Sequence, residues 1–342
     1  MNRFIFTLYL LAVSCLLISC LAPFVSPEQF PFIAFFGLAY PVLVLINMAF
    51  SIYWLILGKK RLILSLIVLL LGCFMLSSYF NFGSFSLNKN NKNNKKDIRV
   101  LSYNVRLLDF DRWNKKLPDN RIRILKLLKE ESADIICLQE FYTINYPNYQ
   151  FNTLDTLLQM LNPVFYHFGC SLYASRNQSF GLLTLSKYPI IGEGKVEIKT
   201  DGTNACIFTD IKKNRDTIRI YNIHLQSVYP MNATGLSRAF SQRALQTDLI
   251  ADHIKKCRYP VMVCGDLNDT PSSYAYRTIK GKLQDAFLES GEGFGITYAE
   301  NIPFQRIDYI FHDLSLAGHS FNVIPDKLSD HYPVCCQLVA PD

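Results

Sequence analysis

The sequence predicts an α/β catalytic domain that follows three transmembrane helices. Three observations support this prediction. Residues 1–87 contain three long apolar stretches and few charges, residues 97–342 contain strand-like and helix-like segments in turn, and polar side chains stand where several of those strands end. A segment with the length of residues 97–342 is within the range of one large domain.

The three apolar stretches lie at about Phe4–Leu21, Phe32–Leu57 and Leu62–Phe80. Each is long enough for the roughly 20 residues that cross a bilayer, so we expect a multi-pass protein of a bacterial inner or plasma membrane, in contact with the lipid bilayer. The middle stretch contains Pro41, which predicts a tilted or kinked helix. The charged residues of this region are Arg3, Glu28, Lys59, Lys60 and Arg61.

Two features of the membrane region leave alternatives open. The sequence Leu17–Cys20 resembles a bacterial lipoprotein processing box, in which Cys20 would carry the lipid. The positive-inside rule places Arg3 and the Lys59–Arg61 loop in the cytoplasm, so three spans predict an extracytoplasmic catalytic domain. The lysines of the segment Asn88–Lys96 argue against this orientation.

The segment Asn88–Lys96 consists of Asn and Lys and predicts a solvated linker before a catalytic domain of residues 97–342. Eight of the 35 Lys and Arg residues and one of the 28 Asp and Glu residues precede residue 97, which leaves 27 of each in the domain. The domain is therefore formally neutral, whereas a dedicated nucleic-acid binder usually has a basic surface.

The cysteines of the catalytic domain predict buried thiols, because no pair has the spacing of a metal site. Their odd number, seven, argues against a disulfide framework and mildly against an oxidising compartment. This is in tension with the predicted extracytoplasmic orientation.

The hydrophobic pattern of residues 97–342 predicts two helices and eight strands. The helices are expected at Arg121–Glu131 and Ser237–Lys256. The strands are expected at Ile98–Asn104, Ile135–Gln139, Phe180–Ser186, Ala205–Ile211, Thr217–His224, Val261–Cys264, Ile307–Phe311 and Val334–Leu338.

Carboxylate, amide and imidazole side chains stand at the mouths of six of these strands. They are Asn104, Glu140, Asn222, His224, Asp266, Asn268, Asp308, Asp330 and His331. Each alone has an ordinary structural explanation, such as a turn cap or a core histidine. Together they predict a site for metal-assisted phosphoester hydrolysis.

The motifs around these residues carry a resemblance to a known family. They are Ser102–Arg106, Leu138–Glu140, Asn222–Leu225, Gly265–Asn268, Arg306–Tyr309 and Ser329–His331, in this order. The catalytic part resembles the endonuclease/exonuclease/phosphatase superfamily of deoxyribonuclease I-like phosphoesterases over essentially all of residues 97–342. The motifs are specific for fold and reaction but not for substrate. The resemblance implies a four-layer α/β sandwich, in which two mixed sheets face each other and helices cover the outside.

The resemblance also implies hydrolysis that depends on Mg²⁺ or Mn²⁺, with in-line attack by an activated water. The oxygen ligands of carboxylates and amides suit these hard cations. The implied metal ligands are Glu140, Asn104 and Asp330. The implied catalytic residues are Asp266, His331, Asp308, His224 and Asn268. The implied phosphate ligands are Asn222, His224 and Asn268.

Within this set, the resemblance gives Asp266 the task of orienting or deprotonating the attacking water. Asp308 would accept a hydrogen bond from His331 and fix its tautomer, so that the other edge of the ring faces the phosphate.

The substrate stays open between several classes. A tethered, neutral domain favours a lipid headgroup or a small phosphoester, because the tether would raise the local substrate concentration. A membrane-tethered endonuclease that acts on DNA or RNA is the alternative, and a binding module without turnover is a third. No feature predicts an obligate protein partner.

Overall fold

The computed structural model describes residues 3–83, 97–108, 120–144, 152–161, 164–175, 178–198, 204–228, 232–300, 302 and 304–339. The predicted linker Asn88–Lys96 lies outside these residues. The helices are α1 Arg3–Ser19, α2 Pro31–Leu38, α3 Tyr40–Ile56, α4 Arg61–Gly72, α5 Asn120–Glu131, α6 Thr153–Leu161, α7 Ala233–Lys255, α8 Tyr274–Lys280 and α9 Ala286–Ser290, with a 3-10 helix at Cys73–Ser78. The strands are β1 Asp97–Asn104, β2 Ile135–Ile144, β3 Phe165–Ser175, β4 Gln178–Ser186, β5 Ile190–Lys195, β6 Ala205–Lys213, β7 Asp216–His224, β8 Val261–Asp266, β9 Gln284–Asp285, β10 Asp308–His312, β11 Ala317–Val323 and β12 Val334–Val339.

The strands form two six-stranded sheets. Sheet I has the order β11-β12-β1-β2-β4-β3, and sheet II has the order β5-β6-β7-β8-β10-β9. The central pair of each sheet, β1–β2 and β7–β8, is parallel, and the neighbouring pairs are antiparallel. The prediction of two mixed sheets is therefore confirmed.

Three apolar clusters hold these layers together. The first lies between the sheets and joins side chains such as Ile98 and Val100 to Ile220 and Cys264. The second packs α5 and α6 on the outer face of sheet I, and the third packs α7 and α8 on the outer face of sheet II. Helix, sheet, sheet and helix thus form the four expected layers.

The eight predicted strands are present, and four further strands, β3, β5, β9 and β11, complete the sheets. All four lie at sheet edges, where pairing is on one side only and the hydrophobic pattern is weak. In β11, for example, Phe321 is buried while most of its neighbours are open to solvent. All ten cysteines are free thiols, and five of those in the domain are buried as expected.

The N-terminal helices differ from the prediction of three transmembrane helices. Among the described residues, one continuous helix, Arg61–Ser78, is long and apolar enough to cross a membrane. Helices α2 and α3 pass this test only as a pair bent by 61° near Pro41, and α1 is a shorter apolar helix. A multi-pass arrangement is therefore not supported, because the apolar runs are broken into shorter helices. The predicted kink of the middle stretch is present.

Candidate active site

Three neighbouring strands of sheet II bring polar side chains to one edge of the sandwich. His224 at the end of β7 is paired in register with Asp266 at the end of β8, and Asp266 is paired with Asp308 at the start of β10. Paired residues on adjacent strands point to the same face, so all three side chains project between the two sheets. All three are buried.

Gly265 allows this close alignment of β7 and β8. Its φ of 145° is a backbone conformation that other residues rarely adopt. A Cβ atom at this position would lie 2.0 Å from the carbonyl oxygen of Ile223. The glycine therefore lets β8 approach β7 immediately before Asp266.

Sheet I supplies Asn104 and Glu140 to the same edge. Asn104 is the last residue of β1 and is paired with Gln139 of β2. The β2–β4 register shifts between Leu138 and Phe141, and Glu140 has a positive φ of 51°. A bulge of this kind re-aims a side chain. It turns Glu140 towards the cleft, although strict alternation after Gln139 would point it to the outer face.

Asp266 is the centre of the hydrogen-bond network that joins the two sheets. Its carboxylate accepts hydrogen bonds from Nδ2 of Asn104 at 3.0 Å and from the backbone N–H of Asn268 at 2.7 Å. Nε2 of His224 lies 3.7 Å from the same carboxylate and 3.4 Å from that of Glu140. Burial raises the pKa of Asp266 above its usual value; the charge of His331 opposes this rise, and the carboxylate of Asp308 adds to it. These groups define one buried, acidic pocket.

The predicted contact between Asp308 and His331 is present. Nδ1 of His331 lies 2.9 Å from Oδ2 of Asp308, and its Nε2 lies 3.7 Å from Oδ2 of Asp266. Burial alone would lower the pKa of His331, but the charges of Asp308 and Asp266 outweigh it and raise the pKa to about 10. His331 is therefore a cation at neutral pH, with Nδ1 donating to Asp308.

Thr297 and Tyr298, which the sequence did not indicate as site residues, contact the backbone at Asp308 and His331. The hydroxyl of Thr297 accepts hydrogen bonds from the backbone N–H groups of Ile307 and Asp308, both at 3.0 Å. Tyr298 forms an isolated β-bridge with His331 and places its ring 5.3 Å from the imidazole. Both residues lie in an irregular loop, so no periodic pattern marks them.

Asp330 lies at the rim of the cleft. Its Oδ2 is 3.6 Å from Nε of Arg106, and its Oδ1 accepts a hydrogen bond from Ser329. The hydroxyl of Ser329 also lies 2.9 Å from the backbone carbonyl of Asn104, which joins the Asp330 loop to β1. Arg106 is half-exposed and was missed as a residue of the site, since a lone arginine beside a strand end is common.

Two predicted phosphate ligands use their side-chain amides for hydrogen bonds within the protein. Asn222 is fully buried between the sheets, where its amide donates to the carbonyls of Leu138 and Leu183 and accepts from Gln139. It lies one alternation deeper than His224, and its contact with phosphate stays a prediction. Asn268 is at the site, but its Nδ2 donates to the Leu225 carbonyl and to Asp266. In this conformation it orients Asp266 instead of offering an N–H to phosphate.

The donor set at this edge suits a divalent cation. Asp266, Asp308 and His331 each offer a ligand atom within 4.8 Å of the others. Two of the buried atoms here, Nε2 of His224 and Oδ1 of Asp308, have no hydrogen-bond partner among the described residues. Glu140 is the carboxylate most open to the cleft. Since Asp308 and His331 already bind each other, the oxygens of Glu140 and Asp266 fit a hard cation best.

The predicted metal ligands Asn104 and Asp330 are close to this set, but they differ in whether their side-chain oxygens are free to bind a metal. Asn104 presents its amide nitrogen to Glu140 at 3.2 Å, while its oxygen accepts the backbone N–H of Arg106. A metal contact by this oxygen requires the amide to turn over. Asp330 remains partly open to solvent beside Arg106.

Comparison with protein families identifies the catalytic part. A profile of the Endonuclease/Exonuclease/phosphatase family matches residues 101–331. The chain belongs to this family. Its members are metal-dependent phosphoesterase hydrolases, and this protein is an enzyme of that kind. A second profile, described as a domain of unknown function, matches residues 2–79. No curated protein sequence gives a significant match.

Solved structures share the fold of the catalytic part. The endonuclease/exonuclease/phosphatase from Bacteroides vulgatus has a TM-score of 0.58 at 19% identity, covering 71% of this chain and 99% of that one. The catalytic domain of human Nocturnin with bound sulfate has a TM-score of 0.54 at 18% identity, covering 71% and 94%. A mannosyl-6-phosphatase from Bacteroides thetaiotaomicron has a TM-score of 0.54 at 17% identity, covering 71% and 99%.

Proposed function

We propose that this protein is a membrane-attached phosphoesterase that uses Mg²⁺ or Mn²⁺ to hydrolyse a lipid-headgroup or other small phosphoester. The observation that carries the proposal is the convergence of His224, Asp266 and Asp308 with His331 and Glu140 at one edge of both sheets. Family membership supports phosphoester hydrolysis as the reaction.

The residues of the pocket suit in-line attack by water on phosphorus. A divalent cation held by Glu140, with Asp266 beside it, would neutralise the charge that develops on the phosphoryl oxygens. Asp266 accepts a proton from the attacking water, which a carboxylate of raised pKa does more readily. The water oxygen bonds to phosphorus as the ester P–O bond breaks, and the leaving alkoxide takes up a proton from solvent, to which Asp266 later returns the proton that it accepted. His331 faces the phosphoryl group as a cation and stabilises its charge.

The proposed membrane attachment rests on the N-terminal helices. Helix Arg61–Ser78 meets the length and hydropathy of a span. Large apolar side chains there are open to the surroundings, with Leu70 75% and Phe74 77% exposed. Ile56 at the end of α3 is 78% exposed. Soluble proteins rarely expose contiguous apolar surface on this scale, so a lipid environment fits these helices.

The position of the helices favours a substrate at the bilayer surface. They contact the loop after β8 through Ser272 and the loop before β10 through Phe304. These two loops adjoin Asp266 and Asp308, so the helical region and the catalytic pocket lie at the same edge of sheet II. A phosphoester in the headgroup layer would therefore be close to the cleft.

The known neighbours are compatible with a small phosphoester. One is named a mannosyl-6-phosphatase, and another was solved with a bound sulfate, an anion of the same shape as phosphate. The neutral charge of residues 97–342 is a further argument against a polyanionic substrate.

The proposal is tested with the full chain purified in a mild detergent and supplied with Mg²⁺ or Mn²⁺. Release of product would be measured from mixed micelles of phosphatidylcholine, sphingomyelin or phosphoinositides, from sugar and inositol phosphates, and from plasmid DNA and RNA. We expect hydrolysis of a lipid or small phosphoester and its loss in Asp266→Asn. Cleavage of DNA or RNA alone would instead support the membrane-tethered endonuclease, and no turnover on any of them would support a binding module.

A further inference from the structure

The segment that leaves the last apolar helix is fixed to the catalytic domain at several points. We call residues 78–83 the docking segment. Asn81 exchanges two backbone hydrogen bonds with Gly293, at 2.9 and 2.8 Å, and its side chain donates to the carbonyls of Phe287 and Leu288. The ring of Phe80 packs edge-on against that of Phe294 at 4.9 Å. The segment is thus built into the domain before residue 84.

One contact of the docking segment is with Arg306, which lies close to Asp308 in the chain. The carbonyl of Ser78 accepts a hydrogen bond of 2.8 Å from the guanidinium of Arg306, which is 1% exposed and pairs with Asp285 at 2.8 Å. Nε of Arg306 has no hydrogen-bond partner among the described residues. The Ser78 carbonyl is therefore one of the few acceptors of the Arg306 guanidinium group. Arg306 stands two residues before Asp308 and fixes the entry of β10 into the site.

A second contact leads to the loop that follows Asp266. The hydroxyl of Tyr79 lies 2.5 Å from that of Ser272, and Ser272 donates to the Gly37 carbonyl of α2 at 2.8 Å. A Cβ atom on Gly37 would lie 2.5 Å from the Cβ of Ala22 and 3.2 Å from the Ser272 carbonyl, so this glycine is closely packed on both sides. Ser272 also contacts Thr270 at 3.1 Å. Tyr79 and Gly37 therefore hold the Asp266 loop from the side of the helices.

The two contact points are also joined within the catalytic domain. The hydroxyl of Tyr309 lies 2.6 Å from the carbonyl oxygen of Arg306 and 2.9 Å from that of Asp269. The backbone N–H of Leu267 donates to the Ile307 carbonyl at 2.9 Å. A displacement of the docking segment would therefore also move the carboxylates of Asp266 and Asp308.

We propose that the N-terminal helical region is a positioning part of the catalytic unit and not only an anchor. Through Tyr79 and the Ser78 carbonyl it sets the loops that adjoin Asp266 and Asp308. This inference rests on the proposed function for its kinetic consequences, but the association of the two parts is independent of any activity. It gives residues 2–79 a role: to hold the active site in its working geometry at the membrane surface.

The first experiment severs the chain without removing either part. A protease recognition sequence is inserted between residues 88 and 96 of the full chain, and the purified protein is cut in detergent. Because the contacts of Gly37 and of the docking segment hold the parts together, we expect both fragments to elute as one species in size-exclusion chromatography and to retain activity. Separation of the fragments with undiminished turnover by residues 97–342 would overturn the proposal.

The second experiment tests positioning with Tyr79→Phe, which removes only the hydroxyl that contacts Ser272. The matched control is Ser77→Ala, whose exposed hydroxyl bonds within its own helix to the Phe74 carbonyl. With bis(4-nitrophenyl) phosphate and Mn²⁺, we expect kcat to fall by about 3- to 30-fold in Tyr79→Phe, because small displacements of catalytic groups are costly. KM should change by less than about twofold, since Tyr79 does not reach the substrate.

Ser272→Ala and the double variant Tyr79→Phe/Ser272→Ala test the same contact from both sides, so the result does not depend on one substitution. Both single changes break the same contact, so the double variant should be no slower than the slower single variant. Wild-type kcat in Tyr79→Phe and Ser272→Ala would overturn the positioning role. If no substrate is turned over, the proposed function fails, while co-elution of the cut fragments still decides whether the helices are part of the folded unit.

Discussion

The buried pair of Asp308 and His331 provides the sharpest quantitative prediction. At 2.9 Å, two opposite charges attract by about 6 kcal/mol at an effective dielectric constant of about 20. Desolvation offsets part of this attraction, and loss of one partner of a buried pair typically costs about 3–5 kcal/mol. Asp308→Asn keeps the shape and a hydrogen-bond acceptor, so we expect a loss of unfolding free energy near the lower end of this range at pH 7.

The pH dependence of this loss follows from the raised pKa. The pKa of His331 is about 10 in the folded protein and about 6.5 when unfolded. The stabilising contribution is therefore fully present below about pH 6.5 and is lost as the pH rises through about 10. The difference in stability between wild type and Asp308→Asn should shrink between pH 7 and pH 10.

The assay is urea unfolding of the full chain in detergent and excess EDTA, followed by circular dichroism at several pH values. Glu289→Gln is the control, because it removes the carboxylate from another histidine pair, with His312 at the far end of β10. It should reduce stability without slowing hydrolysis. A difference between wild type and Asp308→Asn that stays constant from pH 7 to pH 10 would refute the ion pair.

Three further predictions concern the site, the backbone beneath it and the membrane. Asp266→Asn should lower kcat by about 10²–10⁴-fold with little change in KM, because it removes proton acceptance; steady-state kinetics near the wild-type rate would show that the water is activated elsewhere. Gly265→Ala should destabilise the fold, because its Cβ would meet the Ile223 carbonyl at 2.0 Å; a melting temperature equal to that of wild type would contradict this close approach. The intact chain should sediment with membranes and need detergent for release, and protease added to spheroplasts should digest the catalytic domain if it is extracytoplasmic; a soluble chain would remove the anchor, and protection would place the domain in the cytoplasm.

The sequence predicts the site best for residues at strand ends, because the location along the strand then decides where the side chain lies in the fold. Asp266 and Asp308 stand at the mouths of strands, and the strand register then brings them together. Asn222 shows the limit of this reasoning. It shares a face with His224, but alternation along a strand gives the face and not the depth between the sheets, where Asn222 is sealed.

Other features depend on contacts between distant parts of the chain. Glu140 reaches the cleft because of a β-bulge, and the sequence pattern of Leu138–Phe141 does not predict this bulge. Thr297 and Tyr298 act through a loop that pairs with His331, a contact set by tertiary structure. In the N-terminal region, apolar length predicted continuous spans, but composition does not show where the helix direction breaks, as it does at Ala39.

The most direct test of the central claim is hydrolysis by the full chain with its metal removed and restored. Phosphoester hydrolysis is measured in detergent with Mg²⁺ or Mn²⁺, after addition of EDTA, and after the cation is returned in excess. The same titration is made with Glu140→Gln, which keeps the shape of the proposed ligand but not its charge. We expect EDTA to abolish turnover, the cation to restore it, and Glu140→Gln to need a much higher cation concentration. Full activity in excess EDTA would contradict a metal-dependent reaction at this site.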